Sequence, residues 1–512
     1  MKYCITVMSA LTMVFAPEAM ADETALYQKG PVQLDSGLIS GAASEISKDI
    51  SVFKGIPYAQ PPVGDLRWKP PVPVKTWKGV RPAVAFGPAA RQTPMDAGGI
   101  TEGTWQDEDC LYLNVWTPAK AKEEALPVMV WIHGGGFSVG SNSMPTYNLA
   151  RLAQKGVVAV SINYRLNFFG QFAHPWLTEE SEHKASGNYS LMDQIQALKW
   201  VQKNIRQFGG DPDRVTLFGE SAGSRSITLL VASPLAKGLF HRGICQSGAV
   251  RDVSMPRAIR EQQCIKVVEK LGVTSLNELR ALPWEAFSET GLFNSNPMVD
   301  GWVIPEDPAV LYAEGRIHKV PLIIGINADE AMGFMIRSKI DTLDVYTAYV
   351  RRTHGDHAQK ILDLYSDIAK TNVKDAVNHI QTDSTMLLPA LKQARDLEKT
   401  KTPAYFYFFT KIPPTPMGKL AKAHHGAEIP YVMGDPGNRW GHPEKTDHDL
   451  SEAMMTYWTR FAAHGDPNAK GLPQWPVYGR QTDAYLELGD EIKAKTHLRK
   501  DRITFWESIQ GQ

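Results

Sequence analysis

The feature that most restricts how this chain can fold lies near its middle. An apolar, strand-forming run at 214–218 passes through Gly219-Glu220-Ser221-Ala222-Gly223 directly into a helix-forming run at 226–232. A turn this tight has no room for side chains at its glycine positions, because a Cβ there would meet neighbouring backbone. Strand, sharp turn and helix in that order suit a parallel sheet, whose neighbouring strands need a crossover rather than a hairpin. The rest of the chain reads the same way, with further strand runs at 128–132, 156–163, 321–325 and 404–409. Before the 214–218 strand, Leu191, Ile195, Leu198, Val201 and Ile205 recur at helical spacing and form one apolar stripe. Asp211-Pro212 is the expected stop of that helix. The chain up to about Trp68 consists of short strand-like pieces and turns. The stretches 251–318 and 333–400 are helical and irregular, and they are candidates for a cap over the carboxyl edge of the sheet. The expected fold class is therefore α/β, a single domain over 22–512 with a mostly parallel sheet covered by helices on both faces.

Composition narrows the function. The 512 residues are 43% hydrophobic and 21% charged, with a formal net charge of zero and no basic block. That excludes nucleic acid as the main ligand, since phosphate binding needs clustered Lys and Arg. It also removes long-range steering of charged substrates. At the N-terminus, Lys2, the apolar run 5–16 and Ala19-Met20-Ala21 have the layout of an export signal cleaved before Asp22. The run is far shorter than the ~20 residues needed to span a bilayer, so stable membrane insertion is not expected. Residues 1–21 are read as a signal peptide and the mature chain as periplasmic or secreted from a bacterium. Cys4 would leave with the signal. Cys110, Cys245 and Cys264 allow one bridge at most, for which Cys245 and Cys264 are the candidates. Their spacing suits no metal site.

Two motifs carry chemistry. The G-x-S-x-G turn lifts the Ser221 hydroxyl clear of the sheet and onto the positive end of a helix. His133-Gly134-Gly135-Gly136 follows the 128–132 strand, and consecutive glycines can aim successive N–H groups at a developing negative charge. Together, at strand ends and in this order, they indicate an α/β-hydrolase. The oxyanion donors are expected to be the N–H groups of Gly135, Gly136 and Ala222. A nucleophilic serine needs a base, and the base an orienting acid, in the order serine, acid, histidine. Glu330 ends a loop after the 321–325 strand, with Asp329 as its rival. His424 and His425 share a small-residue loop beyond the 404–409 strand, and the residues alone leave the choice between them open.

The chain resembles the type-B carboxylesterases, the family of bacterial para-nitrobenzyl esterases, liver carboxylesterases and cholinesterases. The resemblance runs from about Gly37 to Trp506. It rests on Phe53-Lys54-Gly55-Ile56-Pro57-Tyr58-Ala59, Pro61-Pro62-Val63-Gly64, Leu66-Arg67-Trp68 and Glu108-Asp109-Cys110-Leu111-Tyr112-Leu113-Asn114-Val115. Phe218 to Ser224, Gln246-Ser247-Gly248, Asp300-Gly301, 461–468 and Trp475-Pro476-Val477-Tyr478 continue it. The resemblance implies Glu330 as the acid and His425, in an H-x-x-E-[IL] pattern with Glu428-Ile429, as the base. It also implies that Glu220 and Ser247 lie buried behind the triad. Ala90 stands where the family usually has the cysteine that bridges to Cys110, which leaves Cys110 without a partner. Ile100 stands where cholinesterases carry a cation-binding tryptophan, with Trp105 nearby, which argues against choline esters.

The expected activity is acyl-enzyme hydrolysis of neutral, small to medium carboxylic esters by a monomer that uses no metal or organic cofactor. An amidase or lactonase would use the same triad. A non-catalytic binding module on the same scaffold would not need to keep Ser221 and His425.

Overall fold

A computed structural model describes residues 24–93, 100–250, 255–290, 295–438 and 440–510. The signal-peptide reading of 1–21 and its Cys4 lie outside the described residues, as do 251–254 and 291–294 of the first cap stretch.

An 11-stranded sheet organises the fold. Its strands, in chain order, are β1 (Ala42–Ala43), β2 (Ser51–Pro57), β3 (Tyr112–Thr117), β4 (Leu126–Ile132), β5 (Val158–Ile162) and β6 (Gly210–Glu220). They continue with β7 (Arg242–Gln246), β8 (Leu322–Asn327), β9 (Ala404–Phe409), β10 (Tyr485–Leu488) and β11 (Ile492–Lys495). The spatial order is β11-β10-β9-β8-β7-β6-β4-β5-β3-β2-β1. From β5 through β10 every neighbouring pair is parallel. Antiparallel hairpin and meander pairings finish both edges.

The central strands are apolar on both faces, as parallel strands between two helical layers must be. On β4, Val128, Val130 and Ile132 join one apolar core while Met129 and Trp131 join a second on the other face. Helix α1 (Tyr189–Asn204) lays its predicted stripe into the first core, beside α2 (Ala222–Ala232). The long helix α7 (Lys445–His464) covers the second with Trp458 and Phe461. Between these, α3 (Arg257–Leu271) lies in the first candidate cap stretch, and α4 (Leu343–His354), α5 (Val373–Thr382) and α6 (Leu388–Lys399) lie in the second.

Several boundaries differ from the sequence reading. A short 3-10 turn, Ile205–Phe208, follows α1 and ends at Gly209 with φ +76°. Asp211 and Pro212 already belong to β6, so the stop is a left-handed glycine rather than the proline. The register of β6 against β4 shifts between Gly210 and Val215, which accommodates that proline inside a strand. Helix α2 starts at Ala222, immediately after Ser221. Strand β8 runs on to Asn327, so the acid-bearing loop is shorter than expected. The cysteines Cys110, Cys245 and Cys264 are buried free thiols, and the candidate Cys245–Cys264 bridge does not form.

One buried ion pair joins α1 to the chain leaving β5. Arg165 Nη2 and Nε contact the Asp193 carboxylate at 2.7 and 2.8 Å, and the Arg165 N–H donates to the same group at 3.0 Å. Both side chains are almost wholly shielded from water. Removing one partner leaves an uncompensated buried charge. Asp193→Asn should therefore destabilise the fold by about 3–5 kcal/mol, read as a lower Tm and denaturation midpoint. A midpoint within experimental error of the parent would show that the pair carries no net stability.

Candidate active site

Ser221 sits between β6 and α2 with φ +55° and ψ −116°. A non-glycine residue in that region costs of order 1–3 kcal/mol, so its surroundings must impose it. Its N–H donates to the Gln246 carbonyl at 2.9 Å. The glycines beside it answer to a close approach of chains: a Cβ at Gly223 would lie 1.9 Å from the Ile132 carbonyl oxygen, and one at Gly219 would lie 2.6 Å from it. The end of β4 is thus pressed against the serine turn, and the His133-Gly134-Gly135-Gly136 loop begins where β4 ends. Gly135 and Gly136 adopt φ +99° and +63°. Among the described residues the N–H groups of Gly135, Gly136 and Ala222 donate to no acceptor. The Tyr164 hydroxyl donates to the His133 carbonyl at 2.7 Å and braces that loop.

The loops after β8 and β9 bring the other titratable groups in. His425 Nδ1 lies 2.5 Å from Glu330 Oε2, and Glu330 Oε1 accepts the Asn327 N–H at 2.7 Å. The residue pairs left open by the sequence are separated by direction. Asp329 faces away: its carboxylate accepts from the Asn378 amide at 2.8 Å and from the Ala423 N–H at 3.3 Å. His424 is turned to the Lys422 carbonyl, with Nδ1 at 3.0 Å. An isolated bridge between Asp329 and His424 locks the two loops side by side.

His425 Nε2 faces Glu220 Oε1 at 3.1 Å, and Ser221 Oγ makes no hydrogen bond among the described residues. Glu428 is buried beyond them, accepting from Gln246 at 3.1 Å and Asn327 at 2.5 Å, while Gln246 accepts from Trp458 at 3.1 Å. Burial works against a charged imidazole. The carboxylates of Glu220 and Glu330, the Glu330 hydrogen bond and more distant Glu428 outweigh it and push the His425 pKa up. Burial pushes the Glu220 carboxyl up as well; nearby His425 opposes that shift, and Glu428 and Glu330 reinforce it. Ser247 is buried with φ +54°, its N–H donating to the Gly325 carbonyl at 2.8 Å.

A cavity of about 250 Å³ opens on this cluster. Ser221, Glu330, His425, Ser247, Gly136 and Ala222 line it, whereas Gly135 and Glu220 are not among the lining residues. Other parts of its wall escaped the sequence reading. Phe334, Gln381, Thr385 and Met386 come from the second cap stretch, and Arg225 comes from the first turn of α2. Thr385 and Met386 ride on a π-turn, Asp383–Leu387, between α5 and α6. Asp383 pins that turn through Arg499 at 2.6 Å and the Tyr365 hydroxyl at 2.8 Å. Ile100 is buried and Trp105 is exposed, and neither lines the cavity.

Asn378 on α5, beside Glu330, is a residue that sequence reading also missed. It donates to Asp329 and accepts the Ala331 N–H at 3.1 Å, so it clamps both sides of Glu330. Asn378→Ala should cost about 1–3 kcal/mol through the buried groups it leaves unpaired, measured by chemical denaturation. An unchanged midpoint would mean that water or a neighbour replaces the clamp.

The sequence profile of the Carboxylesterase family matches residues 28–506. The chain is 37% identical over 500 residues to a fumonisin B1 esterase of Sphingopyxis macrogoltabida, covering 94% of this chain and 91% of that protein. It is 37% identical over 464 residues to the para-nitrobenzyl esterase of Bacillus subtilis strain 168, covering 86% of this chain and 91% of that one. A solved PNB esterase structure superposes with a TM-score of 0.79 at 34% identity, covering 92% of this chain and 99% of that chain. With its α/β-hydrolase fold and its esterase relatives, the chain belongs to the carboxylesterase family and is a carboxylic ester hydrolase.

Proposed function

We propose that Ser221, His425 and Glu330 form the catalytic triad and that Gly135, Gly136 and Ala222 supply the oxyanion donors. The observation that carries this reading is the 2.5 Å contact from His425 Nδ1 to Glu330, in the same cavity as a serine held at φ +55°. In the cycle, His425 Nε2 turns from Glu220 to Ser221 and takes the hydroxyl proton as Oγ bonds to the ester carbonyl carbon. Hydrogen bonds between catalytic groups commonly tighten only with substrate in place. The oxyanion rests on the three N–H groups, the bond to the leaving oxygen breaks, and His425 returns the proton to the departing alcohol. Water then repeats the sequence on the acyl-enzyme and releases the acid. Glu330 holds the imidazole in orientation and stabilises its charged form throughout.

The substrates proposed are small to medium esters with an uncharged alcohol, in keeping with the modest cavity and with Ile100 and Trp105 standing outside its wall. The stretch 333–400 serves as a cap, since it supplies four of the named wall residues. Among the described residues no helix is long and apolar enough to cross a membrane. Residues 1–21 are proposed to direct export, and the mature protein to act as a monomer. An amide or lactone could enter the same cycle, so a panel of esters, amides and lactones with matched acyl groups separates the readings.

Ser221→Ala should abolish covalent labelling by an organophosphate and lower ester turnover roughly 10³- to 10⁶-fold, with the fold intact. His425→Ala should approach that loss, whereas His424→Ala should stay within about tenfold of the parent. Near-normal turnover by Ser221→Ala, or the reverse ranking of the histidines, would overturn the assignment.

The pH profile tests the carboxylate facing the base. The imidazole acts in its neutral form, so kcat/KM rises as pH increases through the His425 pKa. Glu220 is among the groups that push this pKa up. Glu220→Gln should therefore move the acid limb to lower pH, and a limb that stays or moves up would rule out this electrostatic role.

A further inference from the structure

The glycines that let the loop after β4 turn its N–H groups inward also make it pliable, since a residue without a Cβ keeps backbone freedom that others lose. An oxyanion site works only if its donors stand in place before charge develops. Side chains from outside the loop therefore have to hold it. Its near end is braced by the Tyr164 hydroxyl. Its middle is held by Asn167, whose N–H donates to the Phe137 carbonyl at 2.9 Å and whose side-chain amide donates to the Ser138 carbonyl at 2.6 Å. The far end is Gly140, with φ +113°. One side chain takes both of its polar groups: Gln92 Oε1 accepts the Gly140 N–H at 2.7 Å, and Gln92 Nε2 donates to the Gly140 carbonyl at 2.8 Å.

Gln92 is itself firmly placed. It is buried, its Nε2 also donates to the Ala90 carbonyl at 2.9 Å, and its N–H donates to Gln106 Oε1 at 2.9 Å. Ala89 and Ala90 in turn pair in parallel with Gln106 and Asp107. Gly140 has no slack on its other side. A Cβ there would lie 2.5 Å from His133 Nδ1 and 2.8 Å from the Gly134 carbonyl oxygen, and one at Gly135 would lie 2.1 Å from the Val139 carbonyl oxygen. The Gly135 carbonyl also accepts from the N–H groups of Ser138 and Val139, each at 3.0 Å. Groups packed this closely pass a displacement on instead of absorbing it. We propose that Gln92 is a positioning residue for the oxyanion donors: by fixing Gly140 it sets where the Gly135 and Gly136 N–H groups point. Gln92 does not line the cavity, so it acts through the loop and not on the substrate. The proposal rests on the triad and oxyanion reading and deepens it.

The test is Gln92→Met, which keeps the length of the side chain and removes the bonds to Gly140 and Ala90. Organophosphate titration counts competent sites, so turnover is expressed per folded enzyme. In the variant kcat per site should fall about 10- to 100-fold, the cost of misplacing catalytic groups by up to about 1 Å, while KM stays within about threefold. A trifluoromethyl ketone analogue of the ester reports on the donors directly. Ser221 Oγ bonds to its carbonyl carbon, the hydroxyl proton passes to His425, and the carbonyl oxygen becomes the oxyanion. Its inhibition constant should rise in the same proportion as kcat/KM falls. The matching trifluoromethyl alcohol forms no such adduct and should bind parent and variant alike. In a crystal structure of the parent adduct, the oxyanion should rest on the Gly135 and Gly136 N–H groups with both Gln92–Gly140 bonds kept. A variant kcat per site within about twofold of the parent overturns the proposal, and so does equal weakening of ketone and alcohol. Opening of the Gln92–Gly140 bonds in the parent adduct overturns it even if no variant folds. A parent that forms no adduct at Ser221 overturns the triad reading itself, and the proposal with it.

Discussion

Much of this structure depends on one close approach, that of the serine turn to the end of β4. At Gly223 even a methyl group would lie 1.9 Å from the Ile132 carbonyl oxygen, inside any permitted contact. That approach sets the path of α2, which begins at Ala222 directly after Ser221 with its strained φ. It also brings the glycine loop that continues β4 beside the serine, although the two motifs are far apart in the sequence. A side chain at Gly223 would push β4 and α2 apart, and the site would come apart with them.

The second constraint is electrostatic. Glu220, Glu330 and Glu428, all three buried, surround one imidazole at the wall of the cavity. Each carboxylate would be costly there alone. Glu330 is met by His425 and a backbone N–H, and Glu428 by two side-chain amides. Glu220 has the imidazole in front of it. The cluster is therefore suited to sharing charge: a proton on His425 is welcomed by its surroundings.

The legible parts of the site were those written in local backbone. The G-x-S-x-G and H-G-G-G patterns, read with the strands before them, located Ser221 and the glycine loop because each demands a conformation that few residues adopt. That Glu330 rather than Asp329 meets His425 rather than His424 was not legible from the loops alone. Adjacent residues differ only in direction, and direction is set by distant partners such as Asn378 and the bridge between the two loops. The resemblance to a family made both choices that the patterns left open. The end of α1 was misplaced because Pro212 is a conspicuous stop signal, whereas Gly209 does the work within a 3-10 turn. The cavity wall was hidden for a plainer reason. Arg225, Gln381 and Met386 look like ordinary helix residues until tertiary packing turns them toward Ser221.

The π-turn at Asp383–Leu387 has a consequence of its own. A π-turn holds one residue more than the α-helical turn it replaces, so it stores an insertion inside a continuous helix. Loss of a single residue there would restore α-helical winding and rotate Thr385 and Met386 around the axis by a fraction of one residue step, while α5 and α6 kept their places in the core. The interior of the cavity could thus be redrawn by a one-codon change in length, with no substitution at Ser221, Glu330 or His425. In this scaffold the cavity's far wall and the Ser221–His425–Glu330 cluster are carried by separate stretches of chain.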